Sequence, residues 1–224
     1  MPSRRDIFTN SEVYHIYNKT PDSKIIFDQP AISHRFFDLM RYYRSSKSDI
    51  RYSKFVLLPS QIREYKEKEI NDSRYFKVDI LAYCLMPNHF HILIKQKKDS
   101  GVIRFMSDIL NAITRYYNIL YGRKGQLFLT QFRSRHIVTR EQLIHVSRYI
   151  HLNPYSSGLI TKIEELCHYP LSSFFEYTLK KTLCNTDIIL SQFNDDKETY
   201  TKFVFNNADY QRTLDWIKHA EKWR

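Results

Sequence analysis

The chain has 224 residues, of which 42% are hydrophobic and 26% are charged, and its mean hydropathy is −0.51. This composition is typical of a folded, soluble protein and excludes a disordered chain, a collagen-like repeat and a membrane-embedded bundle. Three cysteines without CxxC spacing argue against a disulfide framework or a cysteine-ligated zinc site. The N-terminal stretch is basic and has no apolar run, so we expect no signal peptide and a reduced, cytoplasmic protein.

Positive charge is concentrated in the first two thirds of the chain, whose formal net charge as a whole is +11. Residues 151–224 hold 9 basic and 10 acidic residues, so the other 26 basic and 14 acidic residues give residues 1–150 a net charge of +12. Between Asp108 and Glu141 there are six basic residues and no acidic one. Such a surface suits a polyanion such as nucleic acid, although the charge alone fits a merely basic surface equally well.

The first half of the chain predicts a mixture of strands and helices. Residues 12–19 are aromatic and β-branched and predict a first strand, and Pro30 opens a stretch of helical periodicity. Residues 55–59 predict a short strand, and residues 61–71 a charged helix. The strongest element is residues 75–96, where two apolar runs flank Met-Pro-Asn and predict an antiparallel hairpin.

The second half predicts further helices around one extended segment. Residues 101–121 predict an amphipathic helix whose apolar stripe runs from Ile103 to Leu120, and residues 126–138 predict an extended segment with interleaved aromatic and arginine side chains. Thr139 begins a capping-box pattern, and the helix that follows is expected to end near residue 153, before Pro154. The whole pattern predicts an α+β domain with a helical C-terminal extension.

Two histidines lie at the start of the second strand of the predicted hairpin. Side chains alternate along a strand, so His89 and His91 face the same way while Phe90 faces the other. Two imidazoles on one rigid face can converge on a divalent metal ion, although an HxH pattern alone is weak evidence for a metal site.

A second group of polar side chains lies on the capped helix. His145, Tyr149 and Asn153 are spaced by four residues and share one helix face. A tyrosine can attack phosphorus when a cation helps it to ionise, and an asparagine oxygen can ligate that cation. Because the chain contains 17 tyrosines, this spacing does not by itself select Tyr149.

The sequence around Tyr149 does select this tyrosine. Residues 148–159 (RYIHLNPYSSGL) resemble the YIHxNP…AGL signature of REP-associated tyrosine transposases of the IS200-like family, and residues 86–91 (MPNHFH) resemble the histidine half of a Y1 HUH nuclease site. Three further segments fit in the family's order: residues 14–19, 125–134 and 169–174. The resemblance spans about residues 12–178, which we take as the nuclease domain (1–178), and leaves residues 179–224 as a helical extension of unknown role.

The resemblance implies a fold, a site and a reaction. The fold is a ferredoxin-like antiparallel sheet covered by helices. His89, His91 and Asn153 match the metal ligands, with Mg²⁺ or Mn²⁺ as the cofactor, and Tyr149 matches the nucleophile. The reaction is nicking and rejoining of single-stranded or hairpin DNA through a 5′-phosphotyrosine and a free 3′-OH, which stores the bond energy and requires no nucleotide cofactor.

The resemblance also implies a prokaryotic, nucleoid-associated transposase and leaves open whether it is a monomer or a homodimer. The sequence departs from the family at Leu171, where the family has tryptophan, and in the segment FRSR, where the family has RFKS. Basic and aromatic residues suited to single-stranded DNA are expected to contact it: Arg115, Phe132, Arg133, Arg135 and Arg148.

Two rival functions stay open. A catalytically inactive or domesticated nucleic-acid-binding protein of the same fold would keep the basic aromatic surface and would form no covalent adduct with DNA. A metallohydrolase that uses water as its nucleophile would cut DNA and tolerate Tyr149→Phe. A transposase with an acidic catalytic triad is disfavoured, because the sequence has no matching placement of acidic residues.

Overall fold

The protein is described by a computed structural model over residues 7–180 and 182–221, with side chains described as far as residue 215. The strands are β1 (Val13–Lys19), β2 (Val78–Met86), β3 (His89–Gln96) and β4 (Arg133–Ile137). The helices are α1 (Pro30–Tyr43), α2 (Tyr52–Phe55), α3 (Ser60–Ile70), α4 (Gly101–Leu120), α5 (Arg140–Ser156), α6 (Phe174–Thr178), α7 (Asp187–Leu190), α8 (Lys197–Phe205) and α9 (Ala208–Glu221). Residues 1–6 of the predicted nuclease domain and residues 181 and 222–224 of the predicted extension lie outside the described residues.

The four strands form one antiparallel sheet with the order β2-β3-β1-β4. In chain order, α1 lies between β1 and the β2–β3 hairpin, and α4 lies between β3 and β4. This is the ferredoxin-like order of elements. The predicted α+β fold is therefore confirmed. The hairpin turn falls at Pro87 and Asn88 as expected, because Pro87 has no backbone N–H to offer a strand ladder.

Helices cover both faces of the sheet. α1 and α4 pack on one face, where Ile16, Phe90 and Ile92 are fully buried. α5 packs on the other face against Leu93 and the odd-numbered side of β3. Alternation along each strand therefore sends neighbouring residues into two separate cores. The face under α5 is the one toward which His89 and His91 point.

The C-terminal segment belongs to the same packed core as α5. Tyr200 and Val204 of α8 are fully buried in it, and α9 lies along α5. The connection is anchored by Glu176, a fully buried side chain whose Oε2 accepts hydrogen bonds from three successive backbone N–H groups, those of residues 182–184, at 2.7–2.9 Å. Residues beyond 178 thus stabilise the helix that carries the candidate nucleophile.

Two expectations about local structure are wrong, the second of them in part. Residues 55–59 do not form a strand: Phe55 ends α2, the chain turns, and Leu57 is 83% exposed. A short apolar run has no periodicity that separates a strand from a helical turn. The predicted apolar stripe of α4 is confirmed in its middle, where Met106, Ile113 and Tyr117 are buried, and wrong at its ends, where Ile103 and Leu120 are exposed.

The helix α5 continues past the expected end and includes Pro154 in its last turn. Pro154 cannot donate a backbone hydrogen bond to the carbonyl of Ile150. The side-chain amide of Asn153 compensates: its Nδ2 donates to the Ile150 carbonyl at 3.3 Å and to the Tyr149 carbonyl at 2.9 Å. Gln211 of α9 donates a further hydrogen bond to the Tyr149 carbonyl at 3.2 Å. The proline is tolerated because side chains satisfy the neighbouring carbonyls.

In the part of the chain that the structure describes, each helix is too short or too polar to cross a membrane.

Candidate active site on the sheet face under α5

The strand register brings residues from three strands to one face. Tyr17 of β1 pairs with His91 of β3 and with Arg133 of β4, and Lys19 pairs with His89. His15 lies two residues before Tyr17 and therefore faces the same way. The sequence places His89 and His91 on a common face, and their ring centroids are 5.1 Å apart with the rings nearly perpendicular. This face thus gathers imidazoles, a phenol and cationic side chains.

His91 is the centre of this group and is only 7% exposed. Its ring centroid lies 5.1 Å from that of His15 and 5.8 Å from that of Tyr17, and the His15 and Tyr17 rings also contact each other at 5.2 Å. The rings of His89 and Tyr149 approach it edge-on, the latter at 5.6 Å. Its Nδ1 lies 2.9 Å from Nε2 of His15. Contacts with four rings and this short nitrogen–nitrogen contact fix the orientation of the His91 imidazole.

Tyr149 reaches this group from α5. The helix begins with the predicted capping box, in which Thr139 Oγ1 accepts a hydrogen bond from the backbone N–H of Gln142, and the Gln142 side chain accepts one from the cap backbone. Ile150 is fully buried beside Tyr149 and holds the helix on the sheet. The capped start and the buried stripe together fix the position of the phenol.

The Tyr149 phenol lies between two adjoining cavities of about 610 and 450 Å³, and both are lined by Tyr17, His91 and Tyr149. Arg135 and His145 line the larger cavity, and the smaller one is lined by side chains of β1, the hairpin turn and β4: Lys19, Asn88, His89 and Arg133. The two cavities therefore adjoin at three shared side chains, one of which is Tyr149.

Burial suppresses charge on the ionisable groups of this cleft. It lowers the pKa of His15 to about 4, with the positive charge of Arg135 acting in the same direction. It lowers the pKa of His89 to about 4, aided by Lys19, and that of His91 well below its ordinary value. Burial raises the pKa of Tyr149 to about 12, and the negative charge of Asp215 adds to the shift. At neutral pH the imidazoles are therefore neutral and the phenol keeps its proton.

His89 has the chemical form that a metal ligand requires. Its Nδ1 lies 2.6 Å from Oδ1 of Asn88, whose Nδ2 donates to the Ser23 carbonyl at 3.3 Å. The amide oxygen can only accept, so Nδ1 of His89 carries the proton and Nε2 carries a lone pair. A neutral imidazole with a free Nε2 suits a divalent ion.

A divalent ion at His89 and His91 would need a third ligand that is not His, Cys, Asp or Glu. Within residues 7–180 and 182–221, no group of three His, Cys, Asp or Glu side chains is placed to hold a metal ion. Asn153, the predicted third ligand, is 6% exposed, and neither cavity beside Tyr149 is lined by it. Its Nδ2 is committed to α5 carbonyls, which leaves Oδ1 as its ligand atom. His89 and His91 offer ring nitrogens of the kind that ligate a divalent ion, and the metal site with Asn153 as its third ligand stays a prediction.

The predicted DNA contacts are divided between different regions. Arg133 and Arg135 are exposed and line the cleft. Arg115 is exposed on α4, in the layer on the other side of the sheet. Arg148 points to the C-terminal segment: its guanidinium stacks on Phe203 at 4.3 Å.

The expectation that Phe132 stacks on DNA bases conflicts with its position. Its ring is 8% exposed and belongs to the core under α1 and α4, at 6.3 Å from the Phe8 ring. It sits next to Arg133, which faces the cleft, and alternation along the strand turns it to the opposite face. Phe132 therefore stabilises the sheet and offers no ring to a base.

The structure adds His15 and Tyr17 to the site, and sequence reasoning did not include them. A signal was present, because His15 and Tyr17 alternate on β1 in the same way as His89 and His91 on β3. The alternation shows that these residues belong to the site only once the pairing of β1 with β3 is known, because that pairing places Tyr17 beside His91.

The buried His151 predicts that acid destabilises the fold. Burial lowers its pKa to about 3, and its two ring nitrogens each lie 2.8 Å from a hydroxyl, those of Tyr200 and Ser173. The unfolded chain binds a proton on this residue below about pH 6.5 and the folded chain does not, so stability falls as pH drops from about 6.5 to about 3. In urea unfolding experiments, His151 should lower the free energy of unfolding of the wild type by up to about 1.4 kcal/mol for each pH unit of acidification in this range. The His151→Gln variant should lack this contribution.

The matched control is His34→Gln, which removes an exposed imidazole from α1 and should leave the pH dependence as in the wild type. An unchanged dependence in His151→Gln would contradict the assignment.

The chain is similar to known proteins in part of its sequence and in its fold. The family model for IS200-like transposases matches residues 50–153. Among solved structures, a REP-associated tyrosine transposase bound to a REP hairpin superimposes with a TM-score of 0.53 at 13% sequence identity, covering 80% of this chain and 86% of that chain. No curated protein sequence matches the chain.

The matched segment contains the hairpin histidines, Tyr149 and Asn153, and the structural likeness covers four fifths of the chain. The resemblance to the IS200-like transposase family is therefore confirmed: residues 50–153 match that family, and the described chain has the fold of a REP-associated tyrosine transposase.

Proposed function

We propose that this protein is a metal-dependent tyrosine transposase that nicks and rejoins single-stranded DNA, with Tyr149 as the nucleophile. The observation that carries the proposal is the position of the Tyr149 ring, 5.6 Å from that of His91 in a cleft that also contains His89 and two arginines. Among the solved structures, the similar transposase is bound to a REP hairpin, which supports hairpin-forming DNA as the substrate.

The chemistry is a displacement at phosphorus. Tyr149 Oη forms a bond to a backbone phosphate as the bond from phosphorus to the 3′ oxygen breaks, which leaves a 5′-phosphotyrosine and a 3′ oxygen that takes up a proton. The phenol loses its proton in the same step. Because burial raises the pKa of Tyr149 to about 12, the phenolate must be stabilised by positive charge when the substrate is bound. Rejoining reverses the step with a new 3′-OH and conserves the bond energy.

His89, His91 and Asn153 would hold a divalent ion beside Tyr149. Bound Mg²⁺ or Mn²⁺ supplies charge stabilisation to the non-bridging phosphate oxygens. The protein contributes two neutral imidazoles in fixed orientations, one of them set by Asn88. Tyr149 is partly buried against the core under α5, which limits the access of water to its ring.

Arg133 and Arg135 are proposed to bind the phosphates of the strand in the cleft. Changing either to glutamine should weaken binding of a single-stranded hairpin and reduce the slope of log affinity against log salt by about 0.7 for each phosphate that is no longer neutralised. Fluorescence anisotropy over a salt series measures both quantities. Arg41→Gln, which changes an exposed arginine on α1, is the matched control. An affinity and salt slope that stay unchanged in Arg133→Gln and Arg135→Gln would place the DNA elsewhere.

The function is tested by a covalent-adduct assay. Wild-type protein is incubated with end-labelled single-stranded hairpins from the flanks of its own gene and with Mn²⁺, and the products are resolved on denaturing gels. A labelled protein–DNA band that EDTA abolishes is the expected result. Cutting without a covalent band would favour a water-using metallonuclease, and tight binding without cutting would favour a binding protein of the same fold.

A further inference from the structure

His91 and His15 form a hydrogen-bonded pair of buried imidazoles, and the reaction as proposed gives His15 no role. Nδ1 of His91 lies 2.9 Å from Nε2 of His15, and the two side chains are 7% and 8% exposed. Two neutral imidazoles can share only one proton in such a contact, so one ring donates and the other accepts. Which ring donates decides whether Nε2 of His91 carries a proton or a lone pair.

If His91 donates through Nδ1, its Nε2 carries a lone pair and can bind a cation. If His15 donates instead, the neutral His91 carries its proton on Nε2 and cannot ligate through that atom. Nδ1 of His91 is committed to His15 in either case, so Nε2 is the only nitrogen left for the cleft. A divalent ion beside His91 therefore requires His15 to accept.

We propose that His15 is a positioning residue for the metal site: its Nε2 accepts the Nδ1–H of His91, which directs the lone pair of His91 Nε2 toward His89 and Tyr149. This inference rests on the proposed function, because it assigns a role to His15 in the same metal site. A metal-bound histidine commonly donates its other N–H to a fixed acceptor, which sets the ring orientation and strengthens the ligand.

The position of His15 suits this role. β1 is hydrogen-bonded on both sides, to β3 and to β4, so the backbone that carries His15 cannot shift easily. The His15 ring is nearly parallel to that of His91, at an interplanar angle of 26°, and the Tyr17 ring packs against both. Burial keeps water from competing for the shared proton. The hydrogen-bond partner of His15 is therefore held in place, and it is a predicted ligand.

The test compares His15→Phe with His15→Gln in the full-length protein. Phenylalanine keeps the ring and removes the acceptor, whereas the side-chain oxygen of glutamine can accept in its place. Mn²⁺ affinity, measured by titration of the free-ion EPR signal, should fall about 10- to 100-fold in His15→Phe and be largely restored in His15→Gln. His136→Phe is the matched control, because His136 lies on β4 with its side chain on the other face of the sheet. Thermal unfolding checks that each variant is folded.

A second measurement reads the proton directly. Nitrogen-15 NMR of the Mg²⁺-loaded wild type should show His91 protonated at Nδ1. Protonation at Nε2, or an unchanged Mn²⁺ affinity in a folded His15→Phe variant, would overturn the role of His15.

These outcomes are separate from those of the proposed function. A wild type that forms the DNA adduct while His15→Phe binds Mn²⁺ normally would overturn only the role of His15. A wild type whose Mn²⁺ binding depends on His15 but which forms no adduct would overturn only the nuclease.

Discussion

Replacing Tyr149 by phenylalanine is expected to reduce covalent protein–DNA product by at least about 10³-fold, because the variant lacks the oxygen that attacks phosphorus and keeps the rest of the side chain. The ring should retain its contacts with His91 and His15, at 5.6 and 6.1 Å, so folding and DNA binding should be preserved. Denaturing gels with a labelled hairpin measure the product, and anisotropy measures the binding.

The cleft offers a matched control for this change. Tyr17 also lines both cavities and stacks on His91 at 5.8 Å. Tyr17→Phe removes a phenol from the same cleft and should still form the adduct. If Tyr17→Phe formed no adduct and Tyr149→Phe did, the nucleophile would be Tyr17. If both variants cut DNA without forming an adduct, water would be the nucleophile.

Replacing His89 or His91 by alanine should reduce adduct formation by about 10²-fold or more, since each change removes a neutral imidazole from the predicted cation site. Both side chains are neutral at neutral pH because their pKa values are lowered by burial, so DNA affinity should change little. The variants should also lose Mn²⁺ binding. Titration of the free Mn²⁺ signal and the gel assay measure the two effects on the same samples.

The control for the histidines is His145→Ala. His145 is exposed on the wall of the larger cavity and its Nδ1 accepts a hydrogen bond from Arg148 at 2.7 Å, so it is an imidazole near Tyr149 without a role in the cation site. We expect its Mn²⁺ binding and adduct formation to be retained. Full activity of His89→Ala with normal Mn²⁺ binding would show that the cation is held elsewhere.

Local signals in the sequence predict much of this architecture. The Met-Pro-Asn turn, the alternation of residues 89–91 and the capping box at Thr139 each act within a few residues, and the structure has all three. These signals also place both halves of the site, because the hairpin and α5 each carry their functional side chains on one face. Such local preferences need no knowledge of the fold.

What the sequence does not predict depends on contacts between distant segments. His15 joins the site through strand pairing with β3, and Pro154 remains helical because Asn153 and Gln211 supply hydrogen bonds to α5. Phe132 is buried because β4 pairs with β1 and turns its side chain into the other core. Residues 55–59 resemble a strand in sequence because so short an apolar run shows neither strand nor helix periodicity. Tertiary packing decides which secondary structure the run adopts.

The most direct test of the central claim is to identify the protein residue that carries DNA. Wild-type protein that has reacted with a single-stranded hairpin in Mn²⁺ is digested with nuclease and protease, and the peptides are sequenced by mass spectrometry. We expect a nucleotide 5′-phosphate on the peptide that contains Tyr149, together with a DNA fragment that ends in a 3′-OH. Cleaved DNA with a free 5′-phosphate and no modified tyrosine would contradict the account.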